Sequence, residues 1–277
     1  VAAHVDARRR ENRIFLAAPI SEGEITDYFG DQIRAETEVS WRTDTQRVQA
    51  RRREQLGALT ITEGPLDSPA PTAVAEALVE GIREEGLDLL PWTDHARQLQ
   101  HRIQFLHHHL GDDWPDVRDE SLVDSLEDWL LPHLYGLKSA DDLSRLNLPN
   151  ILREQLTYDQ RDRLEEWAPT HVTVPSGFDR PIDYSDPDTP VLAVRLQEMF
   201  GQTETPRIAN GRVPLTLHLL SPAQRPVQIT QDLAHFWADT YYEVRKDMRG
   251  RYPKHYWPED PLEATPTHTT KAQMEAD

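Results

Sequence analysis

Three closely spaced prolines constrain the fold of this chain more than any other feature. They lie at Pro65, Pro69 and Pro71. Proline fixes φ and lacks a backbone N–H, so neither a helix nor a central strand continues through such a segment. Before these prolines apolar and polar residues alternate, whereas after them apolar residues recur every three to four positions. The sequence therefore predicts a strand-rich segment, a Pro-rich linker over residues 65–71, and then a helical region.

Short strands dominate the prediction for the first 64 residues. Val39 and Trp41 lie on one face of an alternating segment, and a second alternating segment begins at Arg47 after a polar turn. A capping pattern at Ser21 predicts one or two helical turns before them. Several short strands in about sixty residues favour a small barrel, so we predict an OB-like barrel over residues 1–64.

The remaining chain is predicted to be helical first and mixed afterwards. Residues 72–168 carry amphipathic repeats, including a helix that Thr93 or Asp94 would begin and Gly111 would end. Residues 169–261 combine short apolar strands with helices, and residues 262–277 predict an extended tail. The expected fold class is α+β, with a small OB-like β-barrel followed by a mainly helical, mixed α/β C-terminal domain.

Two local patterns within the mixed region give sharp expectations. Residues 171–174 and 181–184 predict paired strands around a turn at Gly177. Thr189 and Pro190 predict the start of a helix that extends to Phe200, because proline is favoured in the first helical turn.

Composition excludes several functional classes. The 277 residues contain no cysteine, which rules out disulfides, thiolate metal sites and cysteine nucleophiles. No apolar run reaches the length of a membrane span, and no signal peptide is visible. The chain begins at Val1 within a charged stretch, so we expect a piece of a longer protein. A reducing compartment fits the lack of cysteine, and we expect a cytoplasmic monomer.

Basic residues are concentrated in two segments of an acidic chain. The net charge of −18 by itself disfavours nucleic-acid binding, because phosphates repel an acidic surface. However, residues 42–53 contain five arginines and one aspartate, and residues 207–254 contain eight Lys or Arg against four acids. Since charges are screened over about 8 Å at physiological salt, each segment can act locally.

These segments provide the candidate contacts to single-stranded RNA. The first cluster is Trp41, Arg42, Arg51, Arg52 and Arg53; the second is Arg245, Lys246, Arg249, Arg251 and Lys254 among Tyr252, His255, Tyr256 and Trp257. Arginines would contact phosphates, while Trp41 would stack on a base. Each cluster also has a purely structural interpretation. The first would protect a strand edge from pairing, and the second would be a C-terminal strap favoured by the helix dipole.

No catalytic residue, metal site or cofactor is predicted in this chain. The chain has no Gly-Lys dipeptide and no Asp-Glu-x-His sequence, so it lacks the phosphate loop and metal-binding motif of an ATP-driven motor. Ser176 lacks the surroundings of a nucleophilic serine. His101 and His107–His109 fan around their helix, which predicts a solvated helix end and not a metal site.

Several short phrases resemble a known protein family. They are Leu219–Pro226, Gln228–Leu233, Phe236-Trp237, Arg249–Pro258, Pro169–His171, Pro175–Gly177, Ile182–Tyr184, Leu196–Gly201 and Thr205-Pro206, with Leu56–Leu59, Gly86-Leu87, Leu90–Trp92 and Trp129–Pro132 upstream. Together they resemble the C-terminal region of HrpB-type bacterial DEAH-box ATP-dependent RNA helicases.

The resemblance implies a parent protein with two RecA-like motor domains that hold ATP and Mg, followed by winged-helix, helical-bundle and OB-like segments. The family's ATP-site residues match no position here, so ATP hydrolysis would belong to the parent. This chain would then contact single-stranded RNA and brace the motor domains in cis. One alternative is a docking module for a protein partner. Another is an independent hydrolase, which would need a convergent polar pocket.

Overall fold

The computed structural model describes residues 2–6 and 13–274, and the chain divides into two units. The first unit contains the described part of Val1–Leu89 together with Leu130–Arg145. The second contains Leu90–Trp129 and the described part of Leu146–Asp277. Each unit is therefore built from two separate stretches of sequence. The linear domain boundaries expected from the sequence remain a prediction.

Short strands and helices follow one another throughout the described chain. The strands are β1 Ala2–Asp6, β2 Arg13–Ala17, β3 Arg34–Arg42, β4 Arg47–Leu56, β5 Leu59–Pro65, β6 His171–Thr173, β7 Asp179–Asp183, β8 Val191–Arg195, β9 Arg207–Ile208, β10 Val213–Pro214, β11 Thr216–Leu220 and β12 Pro226–Thr230. The helices are α1 Glu22–Phe29, α2 Pro71–Glu85, α3 Asp94–Leu110, α4 Asp119–Asp124, α5 Leu126–Trp129, α6 Ala140–Leu143, α7 Leu148–Glu154, α8 Tyr158–Trp167, α9 Leu233–His235, α10 Tyr241–Arg251 and α11 Lys271–Met274. Within the described ranges, none of these helices is long and apolar enough to cross a membrane.

An antiparallel sheet of three strands, in the order β3-β4-β5, forms the centre of the first unit. Trp41 on β3 lies opposite Val48 on β4, and α2 packs against the sheet on the Trp41 side. The segment Leu130–Arg145 of the same unit is bonded to this sheet through the backbone. The N–H of Val48 on β4 donates to the carbonyl of Lys138 at 2.8 Å. Trp41 is therefore a core residue of this unit, with 9% of its surface exposed.

The OB-like barrel expected for residues 1–64 is not confirmed. In the described part of the first unit, β3 and β5 each pair with β4 and not with each other, while β1 and β2 form a separate two-stranded sheet. A barrel requires its first and last strands to join. The alternation of the sequence correctly predicted strands, and Ser21 caps α1 with the expected capping box. Alternation alone does not determine whether a sheet closes, because closure depends on long-range pairing.

A mixed five-stranded sheet runs through the second unit in the order β12-β11-β8-β7-β6. Strands β6 and β7 pair as the sequence predicted, with the turn between them at Gly177. The helix predicted from Thr189 to Phe200 is wrong. Its first half is strand β8, which pairs in parallel with β11, and only Leu196–Met199 forms a short 3-10 helix.

Helix α3 is central to the second unit and agrees with the prediction at both ends. The hydroxyl of Thr93 accepts the N–H of Ala96 at 3.1 Å, and Gly111 ends the helix with a φ of 82°. Its buried face includes Leu99, Ile103 and Leu106. The opposite face of α3 carries polar residues that line a cavity described below.

The tail predicted as extended lies along the second unit up to residue 274, but Lys271–Met274 form the short helix α11 and are not extended. The N–H of Thr267 donates to the carbonyl of Gln197 at 3.0 Å, and the guanidinium of Arg195 donates to the carbonyl of His268 at 3.0 Å. Farther on, the N–H of Lys271 donates to the carbonyl of Lys254. These contacts hold the tail against the 3-10 helix after β8 and against the end of α10.

Candidate nucleic-acid interface

Three arginines of the first cluster share one face of the β3–β4 hairpin. Successive strand residues point to opposite sides, and the register places Glu38 opposite Arg51 and Arg42 opposite Arg47. The residues that line a cavity of about 190 Å³ on this face are Glu38, Ser40, Arg42, Gln49, Arg51, Arg53 and Glu63. Arg51 and Arg53 therefore lie on one face of the sheet, as alternate residues of a strand do.

Each of the four arginines of the first cluster already has an acidic neighbour. Glu63 lies 2.8 Å from Arg51 and 3.4 Å from Arg53, and hydrogen bonds from Arg51 and then Arg53 lower the pKa of its carboxyl group. Arg42 lies 3.3 Å from Asp44, and Arg52 lies 2.9 Å from Glu54. The hairpin face is therefore a mixed-charge surface, on which an incoming phosphate competes with carboxylates. Exposed pairs of this kind contribute little to stability because solvent screens their charges, so they can exchange partners.

Trp41 has a structural position that differs from its expected role. The indole packs directly on Gly81 of α2, and its N–H donates a hydrogen bond to the carboxylate of Glu85. Since the ring is buried, it does not offer a free face for stacking on a base. The sequence signal, an aromatic residue next to arginines, is equally typical of a core residue that anchors a hairpin to a helix.

The second cluster separates into a structural part and an exposed part. Arg245 has a largely buried side chain that donates to the carbonyl of Trp257 at 3.1 Å and lies 3.3 Å from Glu259. Arg251 pairs with Asp247 at 3.1 Å, one helical turn away. Lys254 is exposed, and its backbone carbonyl holds the tail. The strap interpretation thus describes Arg245 and its surroundings.

Lys246 and Arg249 form the exposed part, together with Tyr242. These three residues are four and three positions apart on α10, which places them on one face of the helix. All three are exposed, with 54% of the Tyr242 surface accessible. Among the residues that the structure describes, neither cation has an ion pair or a side-chain hydrogen bond. We call Tyr242, Lys246 and Arg249 the α10 stripe. Tyr242 was not among the residues predicted from the sequence, although its spacing to Lys246 and Arg249 is typical of one helical face.

The histidines of α3 are engaged with the protein. His107 Nδ1 donates to the carbonyl of Trp114 at 2.8 Å, and His109 Nε2 donates to the carbonyl of Pro187 at 2.9 Å. His108 lies 2.6 Å from Asp188. A solvated helix end therefore describes only part of their surroundings. Throughout residues 2–6 and 13–274, no group of three or more His, Asp or Glu is arranged to hold a metal ion.

Comparisons with known proteins agree on one family. A family model described as the ATP-dependent helicase C-terminal domain, HrpB_C, matches residues 129–261. Over 260 residues the chain is 45% identical to the ATP-dependent RNA helicase HrpB of Escherichia coli (strain K12). The aligned region covers 94% of this chain and 32% of that protein.

Two solved structures give the same result. A crystal structure of the E. coli DExH-box NTPase HrpB matches with a TM-score of 0.70 and 42% identity, over 97% of this chain and 34% of that one. A crystal structure of the Escherichia coli DEAH/RHA helicase HrpB matches with a TM-score of 0.62 and 44% identity, over 82% of this chain and 29% of that one. The chain thus spans about a third of the length of these relatives. Residues 129–261 belong to the HrpB_C family, the C-terminal region of ATP-dependent helicases, and the chain as a whole is similar to about a third of HrpB.

Proposed function

We propose that this chain is a non-catalytic accessory region of an HrpB-type ATP-dependent RNA helicase and that it contacts single-stranded RNA. The observation that carries the proposal is the α10 stripe, in which an exposed tyrosine and two cations without an ion pair among the described residues lie on one helical face. Proteins that bind single strands without strong sequence preference combine such cations, which contact phosphates, with aromatic rings that stack on bases.

The hairpin arginines Arg42, Arg51, Arg52 and Arg53 have a secondary role in this proposal. Their ion pairs with Asp44, Glu54 and Glu63 must loosen before a phosphate can bind. We therefore expect them to strengthen binding at low salt and to contribute less than the α10 stripe does.

The remaining parts of the proposal are taken from the similarity to HrpB helicases. ATP and Mg would be held by motor domains of the whole helicase, and the buried cores of both units would let this region brace those domains in cis. A cytoplasmic location and a monomeric state belong to the same proposal. The relatives' names supply the words helicase and RNA, while the α10 stripe supplies the local chemistry.

Removing both cations of the α10 stripe tests the proposal. The double variant Lys246→Ala/Arg249→Ala should bind single-stranded RNA about tenfold more weakly than the unchanged 277-residue chain. If both cations contact phosphates, the slope of log K against log salt should fall by about 1.4, since each lost contact to a single strand removes about 0.7. Fluorescence anisotropy of a labelled uridine-rich oligonucleotide over a salt series measures both quantities.

Charge-matched variants separate a specific contact from a general loss of charge. Arg145→Ala/Arg225→Ala removes two exposed cations outside both clusters and should leave affinity almost unchanged. Arg51→Ala/Arg53→Ala should weaken binding less than the α10 double variant does, because Glu63 already neutralises part of that face. Absence of binding at low salt, or equal losses in all three variants, would contradict the proposal and favour a protein-docking role.

A further inference from the structure

A cavity of about 700 Å³ opens on the polar face of α3 in the second unit. Helix α3 forms its floor with Gln100, His101 and Gln104, while residues 117–120 and the segment from Tyr184 to Pro187 form its two sides. Cavities of about 300–1,000 Å³ are typical of sites for small molecules. The cavity lies apart in sequence from the α10 stripe and from the hairpin arginines.

Polar atoms that have no partner among the described residues converge in this cavity. The carboxamide oxygen of Gln104 accepts the N–H of Val117 at 2.8 Å, which directs the amide group and leaves its NH2 donors unused. His107 donates from Nδ1 to a carbonyl, so its Nε2 is an acceptor with a free lone pair. The partly buried imidazole of His101 has no hydrogen bond in the described part of the chain. Together these groups offer both donors and acceptors.

The charges that line the cavity are balanced, because Arg97 and Arg118 are matched in number by Asp119 and Glu120. Arg97 and Asp119 lie 2.9 Å apart, and Arg118 and Asp116 lie 2.6 Å apart. Burial, followed by the charge of Arg97, lowers the pKa of His101, which keeps its imidazole neutral near pH 7. A strongly charged ligand would therefore find no excess of opposite charge. The cavity instead suits an uncharged ligand with donors and acceptors along one edge.

We propose that this cavity binds an unpaired nucleobase. The base would lie between Pro187 and the guanidinium plane of Arg118, whose side chain is 62% exposed, and its hydrogen-bonding edge would meet His101 and Gln104 on the helical floor. Unstacked bases are recognised in this way, by contact with flat side chains and hydrogen bonds to their edges. The choice of a base among uncharged planar ligands rests on the proposed RNA contact. The base can come from single-stranded RNA or from a free nucleoside, and separate titrations distinguish these sources.

Nuclear magnetic resonance of the histidine rings provides a direct test in the full chain. Adenosine, guanosine, cytidine and uridine are added one at a time to protein with isotope-labelled histidine, and single-stranded RNA pentamers of each base follow. At least one base should shift the ring signals of His101 and His107 while leaving exposed His95 unchanged. If the base comes from RNA, the pentamer should saturate the site at a concentration at least tenfold lower than the nucleoside does. If the nucleoside saturates the site at a concentration equal to or lower than that of the pentamer, the free nucleoside is the ligand. Ring signals that stay fixed under every nucleoside and pentamer would overturn the inference.

Two variants assign the binding to the named groups. Gln104→Glu keeps the acceptor for Val117 and replaces the NH2 donors, so it should weaken the preferred base at least tenfold or change which base is preferred. His101→Phe keeps a flat ring and removes its hydrogen bonds, and it should also weaken that base about tenfold. His95→Phe is the control on the exposed first turn of the same helix and should change nothing. Equal affinity in all three variants would refute the site.

The double variant of the α10 stripe separates the test of the base site from the test of the proposed RNA contact. Lys246→Ala/Arg249→Ala should keep the nucleoside-induced shifts of His101 even where its RNA affinity is reduced. Nucleoside shifts without RNA binding by the chain would refute the RNA contact and retain the base site. Salt-sensitive RNA binding through the α10 stripe with no shift at His101 would refute the base site alone.

Discussion

Replacing Gly81 by alanine should destabilise the first unit by about 2–3 kcal/mol, although alanine normally stabilises a helix interior by about 1 kcal/mol relative to glycine. A methyl group at Gly81 would lie 2.5 Å from two atoms of the Trp41 indole and 2.9 Å from a third. The ring cannot easily move away, because it is buried and its N–H is held by Glu85. Glycine is therefore needed for the close approach of α2 to β3.

The sign of this effect should reverse when the indole is removed. Trp41→Ala alone should cost about 3–5 kcal/mol, as expected for a buried tryptophan. In that background Gly81→Ala has space for its methyl group and should be neutral or stabilising, because only helix propensity remains. Hydrogen exchange of the α2 amides, followed by mass spectrometry, reports the stability of this unit separately from the second one.

Ala77→Gly is a suitable control, since it changes backbone freedom within the same helix without filling space near Trp41. It should destabilise α2 in both backgrounds by similar amounts. A Gly81→Ala effect that is the same with and without the indole would contradict the packing explanation.

The close approach of Trp41 to Gly81 also shows which parts of the fold were accessible from sequence. Helix ends were predictable where a side chain caps its own neighbours, as Ser21 and Thr93 do. These signals are local, so no knowledge of distant contacts is needed. The burial of Trp41 depends on a glycine forty residues away in sequence, and no local pattern indicates that pairing.

The same distinction between local and long-range signals explains the wrong helix at Val191 to Phe200 and the unconfirmed barrel. The run from Val191 to Phe200 becomes a strand because β11 lies beside it in parallel, and a short apolar run has no periodicity that separates helix from strand. The OB-like barrel was not confirmed, because alternation predicts strands without indicating which edges join. In the candidate site, the sequence indicated where the cations lie along the chain. It did not indicate that Glu63 pairs with Arg51 or that Glu259 pairs with Arg245, because these contacts depend on three-dimensional distances.

Arg102→Ala should destabilise the second unit by about 3 kcal/mol. Arg102 is 2% exposed, and its guanidinium donates to the carbonyls of Ala168 and Leu164 and to the carboxylate of Glu165. Both carbonyls lie at the end of α8. The Leu164 carbonyl also accepts the N–H of Ala168, whereas the carbonyl of Ala168, at the C-cap, lies beyond the last helical N–H. Truncation leaves a buried carbonyl unsatisfied, at about 1–3 kcal/mol, and also removes the packing of a long side chain.

Neighbouring variants distinguish the carbonyl contacts from the ion pair. Glu165→Gln should cost less than about 1 kcal/mol, because that carboxylate is 56% exposed and its charge is screened by solvent. Arg102→Lys should recover only part of the loss, since a single ammonium cannot reproduce the spread of the guanidinium donors. Urea denaturation followed by tryptophan fluorescence suits this comparison, because Trp114 and Trp167 lie in the same unit as Arg102. If Glu165→Gln cost as much as Arg102→Ala, the ion pair and not the capping of α8 would account for the burial of this arginine.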